Sequence, residues 1–134
     1  MTPFHLKIVT PDGLIYDGSA EQLIGRTTGG DVGLMARHMN YVAPLGMGRA
    51  VVIIDGQRKT AACIGGMVSV VNGEVTLVPT TFEWADKIDL NRAENAYQKA
   101  DRILKDSAAS STDIRLAEAK LHRALVRKSV ASYK

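Results

Sequence analysis

Near Trp84 the chain changes its repeat. Before it, apolar residues alternate with polar ones in short runs; after it, they recur at the three-to-four spacing of a helix. A chain that switches period once builds a β unit followed by a helical one. Phe4-His5-Leu6-Lys7-Ile8 alternates as a half-buried strand does. Pro11-Asp12-Gly13 marks a turn, and Gly29-Gly30-Asp31 marks a break. Asp55-Gly56 and Asn72-Gly73 each fit a two-residue hairpin, because both residues of such turns tolerate positive φ. Strands are predicted over 4–8, 14–16, 20–26, 32–36, 49–54, 58–64, 67–71 and 75–78. Short antiparallel strands at this spacing make a sandwich or a barrel.

The second half reads differently. Residues 90–104 are good helix formers, with Ala93, Ala96, Ala100 and Ile103 at helical spacing. Residues 107–111 are small and polar, a connector. Thr112 is the expected N-cap of a second helix, and Asp113 suits its positive start. Ile114, Ala117, Leu121, Ala124 and Leu125 form the apolar stripe of that helix, which should end near Ala131. The division is therefore a β unit over 1–84 and an antiparallel two-helix hairpin over 85–134. The facing stripes are mostly alanine, which buries little area at ~25 cal/mol per Å². Such a hairpin is weakly held, and is expected to dock in one state and extend in another.

Charge is unevenly placed. The total is +3, yet residues 1–83 carry 6 Lys and Arg against 7 Asp and Glu, while residues 84–134 carry 11 against 7. A basic second half favours an acidic surface or a phosphate. The chain is 46% hydrophobic and 23% charged, as expected of a folded protein. Cys63 is the one cysteine, so no disulfide forms within the chain, and its apolar neighbours suggest a core position. His5, His38 and His122 make no metal-ligand spacing. The phosphate-loop pattern is absent, and no nucleophile–base pair stands out. The aromatics, 2 Phe, 4 Tyr and 1 Trp, supply no stacking set for nucleic acid. No charged segment followed by a long apolar run marks a signal peptide, and no run approaches the ~20 apolar residues of a membrane span. Membrane association is expected only through a partner.

Two constellations point to a ligand. Ile88-Asp89-Leu90-Asn91-Arg92-Ala93 stands at the β-to-α junction and puts an acid and a guanidinium three residues apart, on one helix face. Arg123 and Arg127, four apart, share a face of the second helix. An arginine fork grips phosphate at two points. The plainer readings are an exposed ion pair, worth ~0–1 kcal/mol, and a solvated basic face.

The whole chain resembles the epsilon subunit of bacterial rotary (F-type) ATP synthases. The matching segments are Gly30-Asp31-Val32-Gly33-Leu34 with His38 after it, the double-glycine strand Ile64-Gly65-Gly66-Met67-Val68-Ser69-Val70, the hairpin Asn72-Gly73-Glu74-Val75-Thr76-Leu77, the segment Ile88 to Ala93, and the last helix from Arg123-Ala124 to Ser129-Val130-Ala131. Their order and spacing span nearly the full length. The chain departs from the family pattern at Ala36-Arg37, where proline and glycine are common, at Asn40 in place of proline, and at Lys99, where ATP-binding relatives can carry arginine. The resemblance implies an N-terminal antiparallel β-sandwich of ten strands and a C-terminal helical hairpin. It implies a non-catalytic rotor subunit in the central stalk, bound to the gamma subunit and resting on the c-ring, at the cytoplasmic face of the plasma membrane. It implies a brake on ATP hydrolysis: compact, the hairpin lies against the sandwich; extended, it reaches the catalytic beta subunits. ATP is the implied regulatory ligand, and no motif in the sequence itself calls for a metal. The implied ATP set is Glu83, Ile88, Asp89, Arg92, Ala93, Lys99, Arg123 and Arg127, with Asp31 and His38 toward the c-ring. The alternative is a purely structural coupling subunit.

Overall fold

The computed structural model describes residues 1–133, and the chain divides into two compact units at the boundary between Trp84 and Ala85. The first unit holds ten strands in two five-stranded sheets. One sheet runs, edge to edge, β2 (Gly13–Ala20), β1 (Phe4–Thr10), β9 (Glu74–Val78), β8 (Met67–Val71) and β5 (Tyr41–Pro44). The other runs β10 (Thr81–Trp84), β7 (Gln57–Ile64), β6 (Met47–Ile54), β3 (Gln22–Thr27) and β4 (Gly30–Leu34). The expected antiparallel sandwich is present, with one parallel junction between β1 and β9, where Leu6 lies opposite Val75 and Ile8 opposite Leu77.

Alternation builds the core. Phe4, Leu6 and Ile8 of β1 point inward between exposed His5 and Lys7. They meet Leu23, Leu34, Val52, Val68, Val70, Val75 and Leu77 from the other strands. Each fully buried aliphatic side chain contributes about 1.5–3 kcal/mol. Cys63 lies in this cluster, and burial pushes its thiol up to about 12. The two hairpin dipeptides behave as their chemistry requires: Asp55 and Gly56 have φ of 52° and 74°, Asn72 and Gly73 of 51° and 80°. Gly66 is held by contact as well as conformation, since a Cβ there would stand 2.0 Å from the Val78 carbonyl oxygen.

Several boundaries differ from the sequence expectation. β2 runs on to Ala20 and β3 starts at Gln22, because the break there is a single residue. β4 ends at Leu34, short of Ala36. β5 and β10 were not legible from alternation. Each has four residues and is an edge strand, and β5 contains Pro44, which only an edge tolerates.

The second unit opens with a 3₁₀ turn, Ala85–Lys87, then α1 (Leu90–Lys105) and α2 (Ser111–Ala131). Ala93, Ala100, Ala117 and Ala124 are buried, with Val130 and Ala131 at the end of α2, so the buried positions of the two helices are mostly alanine. The expected stripes need two corrections. Ala96 is exposed beside the seam, and Leu125 stays 44% exposed, because each sits too far around its helix from the buried alanines. The N-cap of α2 is Ser110 rather than Thr112. Ser110 Oγ accepts from the Asp113 N–H at 3.1 Å, and Asp113 reaches back to the Ser110 N–H. This reciprocal box satisfies two donors that Thr112 would leave open.

Candidate functional site

The cation-rich feature of the hairpin is a cleft of about 320 Å³ between α1 and α2. Its apolar floor is Ala96, Ala100 and Ile103, and its rim carries Lys99 of α1 with Lys120, Arg123 and Arg127 of α2. The small floor follows from the alanine seam. Methyl groups let the helices approach closely, and the long basic side chains beside them form the walls. Four cations and no carboxylate line the cleft, so it favours an anion of several charges. Sequence reasoning named three of the four. It missed Lys120, although the spacing 120, 123, 127 repeats on one helix face and was the available signal.

The segment at the start of α1 is a separate part of the hairpin. Asp89 is the N-cap, and its carboxylate accepts from the backbone N–H of Arg92 at 3.0 Å. Ile88 and Ala93 are buried, at 4% and 3% exposure. Arg92 itself is exposed and lies two turns from Lys99, about 10 Å along the helix axis. Ile88, Asp89, Arg92 and Ala93 therefore do not line the cleft; they form the helix start beyond one end of it. Glu83 belongs to the sandwich unit, half-buried on β10.

In the sandwich, Asp31 on β4 stands opposite Arg26 on β3, and the Arg26 Nε donates to Asp31 Oδ1 at 2.5 Å. That hydrogen bond and the adjacent charge raise the Arg26 pKa. His38 donates from Nδ1 to the Met39 carbonyl at 2.8 Å and packs edge-on against Tyr41, with 5.8 Å between ring centres. Both are loop-proximal polar residues on the sandwich. Among the described residues no group of three His, Cys, Asp or Glu side chains is arranged to hold a metal ion, and no helix is long and apolar enough to cross a membrane.

Comparison with known proteins matches both units in turn. Residues 3–85 match the family described as ATP synthase, delta/epsilon chain, beta-sandwich domain. Residues 86–132 match ATP synthase, delta/epsilon chain, long alpha-helix domain. The ATP synthase epsilon chain of Ruminococcus albus is 39% identical over 135 residues, covering all of both chains. The chain belongs to the bacterial ATP synthase epsilon family. Further members include the epsilon chain of Bacillus velezensis, 41% identical and covering 98% of each chain, and that of Shouchella clausii, 34% identical over 100% of this chain and 98% of the other. The fold also appears in a chain of the Euglena gracilis mitochondrial ATP synthase structure that includes OSCP, F1 and c-ring. The TM-score there is 0.84 at 19% identity, over 100% of this chain and 83% of that one. A chain of the Tetrahymena thermophila mitochondrial ATP synthase central stalk and c-ring gives 0.68 at 9% identity, over 95% of each.

Proposed function

We propose that this member of the epsilon family is a non-catalytic central-stalk subunit whose hairpin is an ATP-responsive brake on ATP hydrolysis. The sandwich, residues 1–84, couples the gamma subunit to the c-ring, with Asp31 and His38 on the c-ring side. The hairpin, residues 85–134, is the regulatory part. The complex sits at the cytoplasmic face of the plasma membrane, and this chain reaches the membrane only through its partners. Family membership and the partners named in the related complexes support the stalk role.

The observation that carries the brake is the cleft: four cations lining a small apolar floor between two helices whose seam is alanine. A triphosphate bridging α1 and α2 would add charge-assisted hydrogen bonds to a pair of helices that hold each other weakly. Lys99, Arg123 and Arg127 take the phosphates, with Arg92 contributing a guanidinium from the helix start. Asp89, at the helix start, serves base or ribose, and Ile88 and Ala93, both buried, support that helix start. In the extended state the same basic face of α2 meets acidic residues of the catalytic beta subunit. Ligand and inhibited state then compete for one set of arginines, and ATP shifts the population toward the compact form.

The test is hydrolysis by the assembled complex with this chain ended after Lys87. The brake predicts faster ATP hydrolysis than with the full chain. Unchanged hydrolysis would leave a purely structural coupling subunit.

A further inference from the structure

The alanine seam has two flanks, and the cleft occupies one of them. The other carries a different linkage between the helices. Lys128 Nζ lies 2.7 Å from Glu94 Oε2 and 4.4 Å above the ring centre of Tyr97. The second oxygen of Glu94 accepts from Gln98 Nε2 at 3.0 Å, which fixes the carboxylate. The Lys128 hydrogen bond, followed by that of Gln98, lowers the Glu94 pKa. With 3.6 residues per turn, neighbouring residues diverge by about 100° around a helix. Arg127 therefore turns to the cleft while Lys128, the next residue, turns to the opposite flank. On α1 the same geometry separates Ala96, Lys99 and Ile103 from Glu94, Tyr97 and Gln98.

We propose that Glu94, Lys128 and Tyr97 form a ligand-independent latch that holds the hairpin closed and so sets how much ligand the cleft needs. The inference rests on the reading that the hairpin opens. The side chains of the pair are 43% and 29% exposed, so the linkage is modest. An exposed pair with one aromatic contact moves an equilibrium by about two- to fivefold. That is large here because most of the buried positions along the two helices are alanine. Apparent affinity for a ligand of the closed form scales with the fraction already closed. A weaker latch therefore demands more ligand without any change in the cleft.

The experiment uses the full chain spin-labelled at Asn91→Cys and Ser132→Cys, two exposed positions at the open end of the hairpin. Cys63 is buried and stays out of the labelling. Distances are measured first without nucleotide. Glu94→Gln and Lys128→Met should each raise the open-to-closed ratio about two- to fivefold over the parent. The swapped pair Glu94→Lys with Lys128→Glu should recover part of the loss, because the ion pair returns while the Tyr97 contact and the Gln98 hydrogen bond do not. Single variants as closed as the parent would overturn the latch, as would a swapped pair as open as the singles. ATP is then titrated into each labelled chain. Failure of the parent to respond to ATP would count against the cleft reading alone, since the nucleotide-free distances decide the latch.

Discussion

Asp89 accepts the backbone N–H of Arg92 at 3.0 Å, so within the hairpin this acid is a helix cap. The i,i+3 relation that suggested an ion pair is thus made through the main chain. Asparagine caps nearly as well as aspartate, whereas alanine loses the acceptor. Asp89→Ala should destabilise the hairpin by ~1 kcal/mol and Asp89→Asn by only a few tenths. Helical circular dichroism during urea unfolding would show the contrast. Equal losses would mean that charge, rather than capping, is what the position supplies.

The same logic separates Ser110 from Thr112. Ser110→Ala breaks a reciprocal capping box and should cost ~1 kcal/mol. Thr112→Ala removes no cap and should stay within about 0.5 kcal/mol of the parent. Melting curves of the two variants decide it; a larger loss at Thr112 would contradict the assignment.

His5 gives the sandwich a pH-dependent contact. Its Nε2 lies 2.5 Å from Asp17 Oδ1 on β2, and its Nδ1 contacts Glu74 on β9. The hydrogen bond to Asp17, then that to Glu74, raises the His5 pKa from 6.5. The imidazolium is the stabilised form. Its contribution is fully present below pH 6.5 and fades as pH rises through the raised folded value. His5→Gln should flatten the stability profile across that window, and chemical denaturation at a series of pH values measures it. A parent profile as flat as the variant's would show that the two carboxylates leave the ring unaffected.

Gly66 has φ of 92° and no room for a methyl group against the Val78 carbonyl. Gly66→Ala should destabilise the sandwich by about 2–4 kcal/mol through strain and forced separation of the backbones. Gly73→Ala meets nothing within 4 Å and should cost less, through its φ of 80° alone. Denaturation midpoints of the two variants test the ranking.

What was legible in the chain were features with local causes. Asp55-Gly56 and Asn72-Gly73 announced hairpins because their own φ preferences make the turns. β1 was legible from strict alternation, and α1 from its helix formers. The parallel pairing of Leu6 with Val75 was invisible because it joins segments far apart in sequence, and nothing in either strand encodes its neighbour's direction. β5 and β10 were too short to show a period. The Ser110 box was within reach: three hydroxyl residues in a row compete for the cap, and only Ser110 has Asp113 three positions on. Arg123 and Arg127 were legible as a basic face and Lys99 only through the family resemblance, while the floor between them depends on how closely two alanine faces approach.

The most direct test of the central claim is a calorimetric titration of ATP into the full chain, beside Arg123→Ala/Arg127→Ala and Arg92→Ala. The account predicts saturating heat for the wild type, and affinity at least about tenfold weaker when both cleft arginines are removed. Arg92→Ala should also weaken binding. No heat of binding in the wild type up to millimolar ATP would contradict an ATP-responsive hairpin.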